Sequence, residues 1–459
     1  MLSEDRPRVR PDSARLNLSR LADEGAWTRP RKSILLLGAL AIIVDGFDNQ
    51  ILGVAIPAMA REWGVLPARF AIAVAVGMIG TMLGTFFGGL LGDRLGRKRA
   101  LVGSMILFGV ATGVTALMND VVGAAVCRFL AGAGMGGAIP ASSSLIAEYT
   151  PSRRRFFAVT TGITSIAVGA VAAGAVASSI LPEFGWRVLY VIGAGLALLV
   201  ALLLARAMPE SYAYLVQRGI GGARLKRAVR VLGATGNSPA QFEIEQPPRD
   251  MSSIRDILGP RLRHDTLALW AAFLITLFAM YTIVNWLPSL LSSLGFSESV
   301  SSSSIALFNA VGMIATITVA AVVSRFGSKH VLLTIAAGAM VSALVLALMP
   351  ANRANAGAML AAIAALGAFL VTLQGCLYAV AAHIYPAAIR ATGIGAALSV
   401  GRIGALMSSY GGARAIGGGN FVYFLLIAIA SALAFVALWL IRDHIAPAAR
   451  QAMLTGERR

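Results

Sequence analysis

Twelve predominantly apolar runs, each longer than the roughly 20 residues a helix needs to cross a hydrocarbon layer about 30 Å thick, set the terms for this chain. They lie near 33–60, 70–92, 99–119, 121–147, 156–181 and 187–207, then near 266–291, 300–324, 329–349, 355–383, 388–412 and 419–441. Inside a bilayer no water satisfies a backbone N–H or C=O, so runs of this length fold as helices that bond within themselves. Hydrophobic residues make up 57% of the chain and charged residues 13%, a surplus of apolar surface that a soluble fold has no interior to hold. The expectation is an all-α membrane protein with twelve transmembrane helices.

The longest polar interval falls in the middle and is rich in turn formers, as in Gly233-Ala-Thr-Gly-Asn-Ser-Pro239. It divides the chain into a basic N-terminal tail (1–32), a six-helix half (33–207), a linker (208–265), a second six-helix half (266–441) and a C-terminal tail (442–459). An internal echo makes the halves pseudo-symmetric. Asp93-Arg-Leu-Gly-Arg-Lys98 after the second run and Ser324-Arg-Phe-Gly-Ser-Lys329 after the eighth keep Arg, Gly and Lys at equal spacing. Parallel halves with a site at their interface suit alternating access.

The net charge of +18 has a location. Eight Lys or Arg precede residue 33, and clusters follow at Arg94 to Arg99, Arg153 to Arg155 and Arg218 to Arg230. The loops near Asn119, Pro182 and Ser297 are nearly free of them. Because cytoplasmic loops carry the excess of Lys and Arg, both termini and the linker are expected in the cytoplasm. The clusters never interleave with stacking aromatics, so the partner they imply is the lipid bilayer and not nucleic acid. The N-terminal tail lacks a short apolar core with a small-residue cleavage site and reads as retained.

Against this background a charge inside a run stands out, since a carboxylate at the centre of a membrane helix costs about 2.5 to 3.5 kcal/mol even on insertion scales. Asp45 and Asp48 sit well inside the first run, and their three-residue spacing puts both on one helix face. Arg128 in the fourth run and Arg402 in the eleventh are the natural partners. At a rise of about 1.5 Å per residue all four charges fall at one level, with Arg402 arriving from the other half. Two carboxylates and two guanidiniums there suit an organic anion held by Arg while an Asp gains and loses a proton. Either Asp fits the proton role at this point.

Other polar residues along the same route are Tyr281, Asn285 and Trp286 in the seventh run and Gln374 and Tyr378 in the tenth. Asp93, Arg94 and Arg97 in the turn after the second run, with Glu148 and Arg390 at the ends of the fourth and before the eleventh, are candidates for a cytoplasmic gate. Gly132-Ala-Gly-Met-Gly-Gly137 is not a phosphate loop, because no strand precedes it; small residues within a membrane helix permit close packing. Cys127 and Cys376 lie in separate apolar runs, and of four His only His383 nears a run's interior, so no metal or cofactor is expected. The energy source would be the proton gradient.

Gly92-Asp93-Arg94-Leu-Gly96-Arg97-Lys98-Arg99 matches the signature between the second and third spans of the major facilitator superfamily, which the chain resembles along its whole length. Within that superfamily, Asp45-Gly46-Phe47-Asp48, Asn285-Trp-Leu-Pro288, Arg390-Ala-Thr-Gly393 and Gly401-Arg402-Ile-Gly404 are similar to the aromatic acid:proton symporters. The resemblance implies the major facilitator fold and transport or gating roles for Asp45, Asp48, Arg128, Glu148, Arg390 and Arg402. It also implies import of a small aromatic acid such as a hydroxybenzoate with protons across a bacterial inner membrane, with no oligomer required. Ser324 departs from the Asp common at that place in the second half. A drug:proton antiporter is disfavoured because Thr160 to Ile180 lacks Pro, and a sugar porter because the seventh run lacks paired Gln; an aliphatic diacid stays open.

Overall fold

The computed structural model describes residues 16–236, 238–244, 257–352, 355–385 and 390–444, almost all of them helical. In the first half the spans are Arg29–Trp63, Ala71–Leu95, Arg97–Thr115, Val121–Tyr149, a fifth made of Ser152–Thr164 and Ile166–Phe184 with a break at Ser165, and Trp186–Ala207. In the second half they are Arg263–Ser293, Glu298–Phe326, Ser328–Leu348, Ala356–Ile384, Arg390–Gly417 and Gly419–Leu440. Ten of the helices are long and apolar enough to cross a membrane by length and composition alone. The third opens on Arg97-Lys98-Arg99, and the eleventh carries Arg402 and Arg414 among Gly and Ser, which lowers the hydropathy of both.

Local chemistry explains the helix ends. Asp120 caps the fourth span by accepting the N–H of Gly123 at 2.8 Å, and Ser297 caps the eighth through Val300 at 3.3 Å. The turns between the second and third spans and between the eighth and ninth rest on Gly96 (φ +103°) and Gly327 (φ +81°), a backbone conformation that a side chain disfavours. These are the glycines of the internal echo, so the repeat read in sequence is a repeated turn.

Outward faces of the spans carry large apolar side chains in the open, among them Phe86, Leu199 and Trp439, as a lipid-facing surface requires. Residues expected as a polar tail and linker do more than connect. Helices Leu18–Glu24 and Ala223–Leu232 bury Leu18, Ala22, Leu225, Val229 and Leu232 beneath the first half, and Leu16–Asn17 pairs in parallel with Phe242–Glu243. Arg31, 1% exposed, ties them down: its guanidinium donates to the carbonyls of Ala22 (2.9 Å), Leu21 (3.0 Å) and Leu232 (3.2 Å), capping both helices at once. The amphipathic periodicity of Ala223–Leu232 carries this packing.

Three hydrophobic cores define the shape. One fuses both halves at the end of the bundle away from the basic clusters, joining Phe47, Ile51, Ala173 and Trp186 to Ile283, Leu287, Phe308 and Phe424. At the basic end each half keeps its own, around Leu101, Leu145 and Leu204 in the first and around Leu269, Leu332 and Leu377 in the second. The halves therefore share one core at the far end and keep separate cores at the basic end.

Candidate functional site

Close helix packing sets the first half's charges in place. Gly77, Gly80 and Gly84 of the second span lie against the backbone of Arg128, Phe129 and Ala133 in the fourth, while Gly132 and Gly136 lie against the carbonyls of Gly77 and Thr81. The glycine run of the fourth span is thus a helix-packing face, as its sequence suggested. Gly46 performs the same service toward the fifth span, where the carbonyl of Ile166 fills the space a Cβ would take. With Gly46 turned to the fifth span, Asp45 and Asp48 turn inward, buried at 4% and 0% exposure.

The two carboxylates meet different surroundings. Asp48 accepts from Arg128 Nη1 at 2.8 Å and from Thr112 Oγ1 at 3.1 Å, so both its oxygens are bonded. Asp45 Oδ1 is buried with no hydrogen-bond partner among the described residues. It lies within Coulombic range of Asp48 and Arg128 from its own half and of Arg402 from the other.

Arg402 is only partly buried and donates through Nη1 to Thr85 Oγ1 of the second span at 2.7 Å, a bond between the halves. Tyr281 lies near Arg402, Asp45 and Asn49, and Tyr378 lies near Tyr281, Arg402 and Gln374. One wall is therefore a carboxylate and an amide from the first span, and the other is a guanidinium, two phenols and an amide from the second half. Asn285 belongs to a neighbouring cavity with Asn49, Thr81 and Arg128, and its Nδ2 is buried without a partner among the described residues. Trp286 is different. It is fully buried, donates its indole N–H to the carbonyl of Ser408 at 3.2 Å and presses on Gly412, so it pins the seventh span to the eleventh and does not line the cavity.

At the basic end, Arg97 pairs with Glu148, and Ser211 Oγ donates to the same Glu148 Oε1 at 2.9 Å. The carboxylate of Glu210 accepts the backbone N–H of Lys98 at 2.8 Å, and its carbonyl accepts from Tyr149 at 2.5 Å. Among the described residues these partners all lie in the first half or at the start of the linker, so the contacts of Arg97 and Glu148 brace that half. Arg94 is exposed, and its carbonyl accepts from Tyr214 at 3.2 Å. The side chains of Asp93, Arg390, Ser324 and Arg325 lie outside the described residues.

Residues that hold the far end shut were not among the sequence candidates. Gln50 donates to the carbonyl of Val284 at 3.2 Å and accepts from Asn309 at 3.4 Å, linking the first span to the seventh and eighth. Gly53 lies against Val284 and Asn285, and Gly174 against Ala306. Outermost, Arg61 pairs with Glu298 across the halves. Gln50 stands within the same polar run as Asp45 and Asp48, which was a signal; Asn309 offered none beyond being an amide in an apolar run.

A family model described as Major Facilitator Superfamily matches residues 38–409. A gallate transporter of Pseudomonas putida is 30% identical, covering 88% of this chain and 91% of its own length. A 4-hydroxybenzoate transporter of Pseudomonas aeruginosa is 30% identical over 84% of this chain and 87% of its own. Among solved structures, the xylose transporter of E. coli in a partially occluded inward-open conformation superposes with a TM-score of 0.69 at 18% identity, covering 91% of this chain and 99% of that one.

Proposed function

The chain belongs to the major facilitator superfamily, and on that premise we propose that it is a secondary transporter, not an enzyme, which imports an aromatic carboxylate together with a proton. The observation that carries the reading is the unequal treatment of Asp45 and Asp48 beside a guanidinium from the other half. Asp48 neutralises Arg128 and stays with it. Asp45, buried with an unbonded oxygen, is the group that takes up and releases the proton.

Arg402 binds the substrate carboxylate. Among the described residues no carboxylate bonds it, and its fork suits a planar anion bidentately. Tyr281 and Tyr378 supply flat apolar faces for a ring, and Asn49 and Gln374 stand ready for ring hydroxyls. The similar gallate and 4-hydroxybenzoate transporters favour this class, and a guanidinium that bonds no carboxylate among the described residues favours an anion over a sugar or a cationic drug.

The basic end faces the cytoplasm of a bacterial inner membrane, with both termini inside, in keeping with its Lys and Arg. A core shared at the far end and separate cores at the basic end are what a state releasing substrate inward would need. Moving a monoanion inward against an interior-negative potential costs about 2.3 kcal/mol per 100 mV, and one proton carried with it cancels that cost. The proton gradient is the energy source, and one chain holds both walls of the site, so an oligomer is not needed. Uptake of radiolabelled 4-hydroxybenzoate into proteoliposomes tests the reading: accumulation should require an inward proton gradient, and gallate and benzoate should compete. Uptake indifferent to the gradient, or competition by xylose instead, would refute it.

A further inference from the structure

A second cavity, of about 360 Å³, lies at the basic end, below the lipid-facing sides of the third and sixth spans. Lys98 and Arg99 enter it from the first turn of the third span, Met208 to Glu210 from just past the sixth, and Arg224 and Arg227 from the linker helix Ala223–Leu232. Four cations share it with one carboxylate, and that carboxylate is already engaged by the backbone N–H groups of Lys98 and Ser211 (2.8 and 3.0 Å).

Two of the cations are braced. Lys98 Nζ donates to the carbonyl of Ala205 at 2.7 Å, and Arg227 donates to those of Arg206 and Ala207, the latter at 2.8 Å. Both cap the last turn of the sixth span, where the helix dipole favours positive charge. Lys98 also lies within Coulombic range of Arg224 and Arg227, and of the Glu210 carboxylate. Four cations against one carboxylate leave an excess of positive charge that favours a further anion.

The surface above the cavity identifies the anion's source. Ile106, Leu107 and Val110 on the third span and Leu199, Leu202 and Leu203 on the sixth are each between 39% and 53% exposed. Ile106 and Leu203 stand only about 12 Å and 8 Å along their helices from the cavity, at about 1.5 Å per residue. An acyl chain lying on this strip ends with its headgroup among the four cations. The buried side of the linker helix, Leu225, Ala228, Val229 and Leu232, holds Arg224 and Arg227 at that depth.

We propose that this cavity binds the phosphate of an anionic phospholipid, with Lys98, Arg99, Arg224 and Arg227 as its ligands. The bound oxyanion joins the third span, the end of the sixth and the linker helix. It thereby reinforces the neighbouring Arg97–Glu148 brace, which shares the segment around Glu210 and Ser211.

The test uses the purified full chain in mixed micelles, reading thermal unfolding and lipid retention in native mass spectra. Phosphatidylglycerol should stabilise the wild type and stay bound where phosphatidylcholine does not. Arg99→Gln with Arg224→Gln should weaken the apparent affinity about tenfold or more, as expected for two cations near an anionic headgroup. The same two positions changed to Lys should retain it, as should Arg153→Gln with Arg218→Gln, exposed cations elsewhere at the basic end. Equal effects of both lipids, or undiminished phosphatidylglycerol binding by a monodisperse double Gln variant, would overturn the site. Stabilisation by millimolar inorganic phosphate alone, matching that by phosphatidylglycerol, would overturn its assignment to lipid.

Discussion

Asp45 and Asp48 stand one helical turn apart on the same buried face of the first span, yet only Asp48 is held, by Arg128 at 2.8 Å and Thr112 at 3.1 Å, while Asp45 keeps an unbonded oxygen. The Asp48 carboxylate spends both oxygens on fixed partners, whereas Asp45 keeps one oxygen open to a further partner. In the proposed transport cycle, structure and coupling are divided between two residues that are chemically the same.

Removing either member of the Asp48–Arg128 pair should destabilise the protein by about 3–5 kcal/mol, because it leaves the other charge buried and alone. Asp48→Asn and Arg128→Gln should each lower the unfolding midpoint in detergent, and the double variant should lose less than the sum of the two. Full additivity would mean that the pair is not coupled.

Arg402→Lys keeps the charge but loses the planar fork. We expect KM for 4-hydroxybenzoate to rise about tenfold or more, consistent with the loss of one charge-assisted hydrogen bond worth about 1.5–3 kcal/mol. Proton-driven uptake at saturating substrate should persist, and an unchanged KM would remove Arg402 from the binding site.

Closure at the far end depends on Gly53, where an added Cβ would press on Val284 and Asn285. Gly53→Ala should hold the halves apart there. A cysteine placed next to the cavity should then react faster with a membrane-impermeant thiol reagent added from outside, while net uptake falls. No change in either would mean that the contact yields.

The Arg61–Glu298 pair is more exposed, with 57% of the Arg61 side chain accessible, so its contribution is modest, about 0–1 kcal/mol and reduced by salt. Glu298→Arg should slow uptake a few-fold through repulsion with Arg61, and adding Arg61→Glu should restore it. Failure of the exchange to restore uptake would deny the pair a role in closing the far end.

The sequence exposed what membrane energetics makes conspicuous. Asp45, Asp48, Arg128 and Arg402 were visible because charges in apolar runs are costly, and depth counting along the helices put Asp48 and Arg128 at the level where they bond. Tyr281, Gln374 and Tyr378 were visible as polar or aromatic residues along the same route, without a depth count. Helix rotation was not legible, and rotation decides that Asp48 and not Asp45 meets Arg128, and that Trp286 turns into the packing against Gly412. Nor could spacing reveal that Glu148 would find Arg97 in its own half and Ser211 at the start of the linker, since partners so distant in sequence meet only through tertiary packing. Gln50 and Asn309 escaped notice because a neutral amide in a membrane helix carries far less energetic signal than a charge.

The most direct test compares Asp45→Asn with Asp48→Asn in proteoliposomes, measuring gradient-driven accumulation of radiolabelled 4-hydroxybenzoate and, separately, its exchange against unlabelled substrate without a gradient. Asp45→Asn should abolish accumulation while exchange continues, because binding and rocking survive the loss of the proton carrier. Accumulation by Asp45→Asn at the wild-type level would contradict the assignment of the coupled proton to Asp45.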